Sequence, residues 1–340
     1  MRGARTRGAV RPSGGEVTRW RDIPVDRGDI GLRLDLVLLR HLGHEPGVSR
    51  ARIQKWIAAG RVTVNGVPAP RIAWRVADGD TLTLDAREIR TRAKPRPEDV
   101  PLDVLFEDAH LIALNKPAGV VVHPSYKHAA GTLLNALLWH AARWPSGDAP
   151  ALLTRLDKLT SGVLLVAKRR EVVAALQREM KAERIEKDYL AVVHGTPDPA
   201  RGTIDLALDR DPWDRRKVTV TDRGGQRAVT KYEVLQSSTE ATGEAAGPVC
   251  SLLRCRLVTG RMHQIRVHLA HKGWPLVGDA VYGRADAAPS FPRQALHAWR
   301  VALTHPVTHE PLTLTAPVPA DMGALMESIG LSEPGERPAP

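Results

Sequence analysis

The stretch "LLTRLDKLTSGVLLVAK" occupies residues 152–168 and joins two kinds of chain. Its second half, "GVLLVAK", is an apolar, partly β-branched run fit for a buried strand. The first half, "LDKLTSG", carries turn-forming residues, so Asp157 is expected on a loop at the entrance to that strand. A lone loop aspartate ordinarily orders its own loop, by accepting backbone N–H bonds or by pairing with a neighbour such as Arg155 or Lys158. Any larger role must come from what the rest of the chain brings to it.

A second segment, "LVTGRMHQIRVHLAHKGWPLVGDAVYG" at 257–283, is dense in polar side chains set among apolar ones. Thr259 suits a helix N-cap, and Gly273 with Pro275 suits the end of that helix. On it, His263 and Arg266 lie one turn apart and present two cationic or hydrogen-bonding groups to a common site. His263, His268 and His271 do not form a metal set on this pattern. His263 and His268 are about 500° apart at roughly 100° per residue, which leaves them about 140° apart around the helix. Nor does Ser161 read as a nucleophile, because "LTSGV" lacks the Gly-x-Ser-x-Gly elbow.

The remaining second half, with "VLFEDAHLIALNKPAG", "KDYLAVVHG", "KVTVTD", "AVTKYEVL" and "CSLLRCRLV", alternates in a way that suits a largely antiparallel sheet. Helices are expected after Gly131 and over about 171–184. The fold class is therefore α+β. Cys250 and Cys255 lie an odd distance apart on one such strand and point to opposite faces, a poor disulfide or zinc pair. A chain of this size with two cysteines fits a reducing cytosol, hence a cytoplasmic location.

Upstream, 31–86 forms a compact unit: "LRLDLVLLRHLG", "SRARIQKWIAAG", "RVTVNG" and "WRVADGDTLTL". Ser49 is the expected N-cap of its second helix, Ile53, Trp56 and Ile57 face a core, and Asn65-Gly66 marks a hairpin turn. Arg50, Arg52, Lys55 and Arg61 are left on a basic surface suited to a phosphate backbone. Residues 87–103, "REIRTRAKPRPEDVPLD", read as a linker, with residues 1–30 as a flexible basic arm and 326–340 as a disordered tail. The formal net charge of +11 favours a polyanionic partner, nucleic acid before acidic membrane. No run reaches the ~18 apolar residues of a membrane span.

The 31–86 unit resembles the S4-like RNA-binding domain, named after a ribosomal small-subunit protein. Behind it, "LNKPAGVVVHPS", "RLDKLTSGVLLVAK", "KDYLAVVHG", "GGQRAVTKYEVL", "TGRMHQIRVHLAHKGWPLVGDAVYG" and "LHAWRVALTHP" follow in an order that resembles the RluA-type family of RNA pseudouridine synthases. The resemblance implies a catalytic domain over about 104–325, built on a mostly antiparallel mixed sheet with flanking helices. It implies isomerisation of uridine to pseudouridine without cofactor or metal, by a monomer acting on ribosomal RNA of the large subunit, or on transfer RNA. It assigns Asp157 as catalytic aspartate, Tyr189 as the ring stacked on the target base, and Arg266 as the arginine paired with the aspartate. Arg155 matches the arginine that helps displace the base, and Arg261 and His263 join the RNA-facing set. Two positions depart from the pattern: Thr154 stands where a histidine is frequent, and Leu159 where a polar residue is common. An arginine facing Asp157 favours its charged form, and a tyrosine face suits a uracil.

Overall fold

The computed structural model describes residues 20–43, 45, 48–85, 95–124, 130–145, 147–214, 217–238, 249–284 and 287–335. Its contacts divide the chain into two units, Met1–Lys94 and Pro95–Pro340.

The first unit holds β1 (Trp20–Ile23), α1 (Leu34–Leu42), α2 (Arg50–Ala58), β2 (Val62–Val64), β3 (Val67–Pro68) and β4 (Leu82–Asp85). The strands form one antiparallel sheet in the order β1-β4-β2-β3. Ile53, Trp56 and Ile57 recur at helical spacing and close the core with Leu34, Val37 and Leu38 from α1 and Val62, Leu82 and Leu84 from the sheet. The Ser49 hydroxyl accepts the Arg52 N–H and starts α2. Asn65 and Gly66, at φ 54° and 79°, make the β2–β3 turn with the positive dihedrals that a two-residue hairpin asks for. Strand β1 falls inside the stretch expected to be a flexible arm: it pairs with β4 over four residues and buries Ile23. Residues 1–19 of that arm lie outside the described residues.

The second unit continues with β5 (Val104–Glu107), β6 (Leu111–Lys116), α3 (Leu133–Ala141), β7 (Ala151–Leu152), β8 (Ser161–Ala167), α4 (Arg170–Lys181) and β9 (Glu186–His194). It ends with β10 (Arg201–Asp205), β11 (Leu208–Arg210), β12 (Val218–Val220), β13 (Val229–Ser237), β14 (Cys250–Leu257), α5 (Gln264–His271), β15 (Leu296–Thr304), β16 (Pro311–Thr315) and α6 (Ala320–Ser328). A ten-stranded sheet runs β10-β13-β14-β9-β15-β8-β6-β5, with β16 on β15 and β7 on β8, while β11 and β12 pair as a separate hairpin. Among the described residues the β8–β15 pairing alone is parallel.

Alternation along β9 shows how the sheet divides its core. Tyr189, Ala191 and Val193 face α3 and α5, whereas Leu190 and Val192 face α6. Cys255 and Cys250 obey the same parity and lie in those two different clusters.

Three expectations shift in this unit. The end of the expected linker is docked: Glu98 accepts the Gly131 N–H at 2.9 Å, Asn135 Nδ2 donates to the Arg96 carbonyl at 2.7 Å, and Leu102 packs on the core. Residues 87–94 of that linker, with residue 86 before it, lie outside the described residues. The expected tail begins too early, because α6 runs to Ser328 and Leu331 is buried beside Met322 and Met326; residues 336–340 lie outside the described residues. Finally, Ser161 and Gly162 are the first residues of β8, and the turn is made by Lys158 and Leu159.

Gly162 is demanded by the crossing of β8 and β15. At φ 110° it pairs with Ala298, and a Cβ there would come within 2.1 Å of the Ala298 carbonyl oxygen. Gly162→Ala is therefore expected to destabilise the second unit by roughly 2–4 kcal/mol through overpacking and backbone strain. Urea denaturation checks this, and an unchanged midpoint refutes it.

Candidate active site

Asp157 stands on the tight turn that leads into β8, its side chain 27% exposed, and the turn is gripped from two sides. From β6, the wholly buried Lys116 ammonium donates to the carbonyls of Pro117 at 2.8 Å, Val120 at 2.9 Å and Lys158 at 3.1 Å. The Gly119 N–H meets the same Lys158 carbonyl at 2.8 Å. From the other side, Arg293 Nη1 donates to the Leu159 carbonyl at 3.2 Å, and its Nε and Nη2 grip Asp321 of α6 at 2.7 and 2.9 Å. Gln294 Nε2 donates to the Thr160 hydroxyl at 3.1 Å. Each residue of the turn after the aspartate is thus fixed by an element distant in sequence. Burial pushes the Lys116 ammonium down to about 8; the Asp157 charge opposes that fall and Arg293 adds to it.

Arg266 is the principal partner of the carboxylate. Its Nη1 donates to Asp157 Oδ2 at 3.1 Å, while Nε and Nη2 make a bidentate pair with buried Asp279 at 2.7 and 2.8 Å. Burial raises the Asp279 carboxyl, but the Arg266 hydrogen bonds and charge, with the N–H groups of Val281 and Tyr282, outweigh it and leave it below the usual range. The guanidinium also lies over the Tyr282 ring, 5.1 Å from its centroid. Two carboxylates and an aromatic face therefore hold one buried cation.

The helix that carries Arg266 begins later than its sequence suggests. Thr259 does not cap it; α5 starts at Gln264, whose side-chain carbonyl accepts from the Arg261 N–H at 3.0 Å and the Thr259 hydroxyl at 2.8 Å. The Gln264 amide then donates to the Val229 carbonyl and the Thr230 hydroxyl, so one glutamine organises the turn. His263 lies just before the helix, at φ 55° in the left-handed region. It still converges with Arg266, its Nε2 lying 3.8 Å from Asp157 Oδ2. The Tyr282 hydroxyl accepts from the Val218 N–H at 2.9 Å and shares a hydrogen bond of 2.9 Å with His263 Nδ1, so the far ring nitrogen, Nε2, is the one that faces Asp157. Burial lowers the His263 pKa, the Asp157 charge raises it, and the net direction is down.

Tyr189 projects from the centre of β9, between β14 and β15, into the core face shared with Leu156, Ile265 and Leu269. Burial first and the Asp157 charge second push its hydroxyl above the ordinary phenol range, so it stays protonated. Thr154 and Tyr189 line the same small cavity. Arg155 is exposed, and its charge, after burial, depresses the nearby His123. Arg261 is exposed and donates Nε to the Arg227 carbonyl at 3.0 Å.

In the first unit the basic residues also serve the fold. Arg50 pairs with buried Asp35 at 3.0 Å and Arg61 with buried Asp85 at 3.3 Å, while Arg52 lies over Trp56 and Lys55 is exposed.

Among the described residues, the groups that other chemistries would recruit are engaged elsewhere. His268 is engaged at both ring nitrogens, by the Thr230 hydroxyl and the Leu206 carbonyl. Ser161 does have a histidine partner, His297 at 2.9 Å, but both are buried and tie β8 to β15. Asp26, Asp29 and His41 cluster in the first unit, yet Arg40 bonds to both carboxylates. Lys116, Arg293, Asp279 and Tyr282 complete the site without having stood out as site residues in the sequence. Lys116, Asp279 and Tyr282 lay within the segments "LNKPAG" and "GDAVYG" without a role, and Arg293 lay outside them.

A family model described as RNA pseudouridylate synthase matches residues 110–271, and one described as S4 domain matches 32–82. The chain is similar to the "Ribosomal large subunit pseudouridine synthase D" of Nitrosomonas europaea, 41% identical over 88% of this chain and 85% of that protein. The protein of the same name in Escherichia coli is 38% identical over 89% of this chain and 92% of its own length. Among solved structures, "Human RNA Pseudouridylate Synthase Domain Containing 4" covers 68% of this chain and 95% of itself at 25% identity, with a TM-score of 0.54. With the fold, the domain pairing and relatives of this similarity in agreement, the chain belongs to the RNA pseudouridine synthases, isomerases of uridine in RNA.

Proposed function

We propose that the enzyme isomerises specific uridines of large-subunit ribosomal RNA, with Asp157 as its catalytic carboxylate. The observation that carries this assignment is the convergence of Arg266 and His263 on Asp157, on a turn locked by Lys116 and Arg293. Arg266 is committed to Asp279 through two bonds, so it offers Asp157 a fixed positive charge that needs no reorganisation during reaction. Tyr189 supplies the ring that holds the uracil, its hydroxyl kept neutral by its surroundings.

In the isomerisation the N1–C1′ bond breaks, the uracil turns while held, and C5 bonds to C1′ as the C5 proton leaves and N1 gains one. Atoms and electrons balance within the nucleotide. Flipping the target out of an RNA fold costs a few kcal/mol, which cationic contacts offset. Arg155 and Arg261 provide these contacts beside the site, where His263 adds a hydrogen-bonding group, and Arg50, Arg52, Lys55 and Arg61 provide them in the S4 unit. The names of the relatives support the large ribosomal subunit as the source of the substrate. The two free, buried cysteines suit a reducing cytoplasm. Among the described residues no helix is long and apolar enough to cross a membrane.

Asp157→Asn is expected to abolish turnover and keep RNA affinity within about threefold, since one charge-assisted contact to a rigid arginine is lost while the shape is kept. Pseudouridine mapping by carbodiimide primer stops, on ribosomal RNA from cells with and without the gene and complemented by the variant, reads both substrate and residue. Wild-type modification by the variant would refute the assignment.

Removing the residues before Pro95 should weaken RNA affinity and flatten its dependence on salt, while the single-turnover rate at saturation changes less. An unaltered salt slope in a titration would argue against an RNA role for the S4 unit.

Lys116 is assigned as a positioning residue. Its folded pKa of about 8 lies below the ordinary 10.5, so between these values the unfolded chain holds more protons and stability rises with pH. The charge that grips the Asp157 turn is lost over the same interval. The expected signature is therefore a rate that falls above about pH 8 while the urea midpoint rises. Lys116→Met should remove the rise in midpoint; its persistence would place the titration elsewhere.

A further inference from the structure

Trp213 is 94% exposed, well beyond the next large hydrophobic residue among those described, Val67 at 65%. It sits between β11 and β12, on a stretch where hydrogen bonds hold the described residues to either side of it. The Asp211 carboxylate accepts the Trp213 N–H at 2.8 Å and the Asp214 N–H at 2.9 Å. The Asp211 N–H donates to the Lys217 carbonyl, and the Lys217 N–H to the Asp214 carbonyl. An indole so presented leaves its apolar area in water and forgoes roughly 25 cal/mol for each Å² that a partner would cover.

The hairpin is attached to the candidate active site. Val218 of β12 donates its N–H to the Tyr282 hydroxyl at 2.9 Å, and Leu208 and Val218 pack with Val267 of α5. Tyr282 in turn bonds His263, whose far nitrogen faces Asp157. Trp213 is five Cα steps from Val218, so the indole-bearing backbone lies within about 18 Å of that anchor. That is a reach of about five nucleotides at the spacing of one strand.

The surroundings select the occupant. Arg210 and Arg223 are exposed on the hairpin's flanks, and the Asp209 and Asp211 carboxylates are turned onto backbone N–H groups. Two of the described tip neighbours, Asp211 and Asp214, are charged and none is a large apolar residue. A protein interface centres on a contiguous, desolvated apolar core. A nucleobase needs only one aromatic face and a cation for its phosphate.

We propose that Trp213 is a stacking platform for an unpaired base close in the strand to the target uridine. This rests on the RNA substrate proposed above and adds a recognition element to it.

The test uses the full chain and an unmodified transcript of large-subunit ribosomal RNA labelled with tritium at uridine C5, whose release reports isomerisation. Trp213→Ala is expected to raise KM, and the dissociation constant of the Asp157→Asn background, by about tenfold or more. Trp213→Phe, which keeps a ring, should recover most of that loss. In both variants the rate at saturation should move far less than KM. Equal KM for wild type and Trp213→Ala, with normal tritium release, overturns the platform and leaves the substrate reading standing. Unchanged KM with a wild-type self-association that Trp213→Ala abolishes in sedimentation assigns the indole to a second copy and also overturns it. If the wild type releases no tritium from ribosomal transcripts and both proteins bind them equally, the substrate reading fails and the platform with it.

Discussion

One guanidinium, that of Arg266, organises the catalytic unit's working face. It reaches Asp157 with a single bond while two others lock it onto Asp279 and its plane covers Tyr282. A buried arginine with one carboxylate would be electrically satisfied and free to choose its rotamer. With two carboxylates and a ring it has one position, and Asp157 inherits that position. Removing one member of such a buried set typically costs about 3–5 kcal/mol, because the others are left as uncompensated charges. The site's geometry is therefore bound up with the stability of the fold around it.

The second constraint is on the backbone. The turn that bears Asp157 gives its Lys158 carbonyl to Lys116 and its Leu159 carbonyl to Arg293. These cations come from β6 and from just before β15, the strands that flank β8 in the sheet. A loop at the mouth of a strand is ordinarily the mobile part of a domain. Here it is held by cations on both sides, which suits the catalytic role proposed for Asp157.

Much of this was legible in local sequence, and the remainder for physical reasons was not. Ser49 as a cap, Asn65-Gly66 as a hairpin and the opposed faces of Cys250 and Cys255 follow from rules that act within a few residues. Asp157, Tyr189 and Arg266 were singled out by motif order, and the structure brings Arg266 onto Asp157. The start of α5 was misplaced because Gln264, and not Thr259, captures the orphan N–H and hydroxyl groups, a choice that depends on Val229 and Thr230 of a distant strand. Ser161-Gly162 reads as a turn until β15 arrives alongside, and only then does the absence of a Cβ become a packing requirement. Lys116, Arg293 and Asp279 were missed as site residues for the same reason: their importance lies in which carbonyls and carboxylates they meet across 13 to 134 residues of chain.

The parallel seam between β8 and β15 joins residues 136 apart, as the Ser161–His297 bond records. On a ribosome, β15 emerges late, with β16 and α6 after it among the described elements. Until then β9 and β8 have no strand between them, and neither Arg293 nor Asp321 is available to hold the Asp157 turn. Long-range pairing of this kind is slow and comes late in folding. A nascent chain can thus complete its S4 unit before the turn that bears Asp157 has gained the partners that hold it, so the two units come of age in sequence and not together.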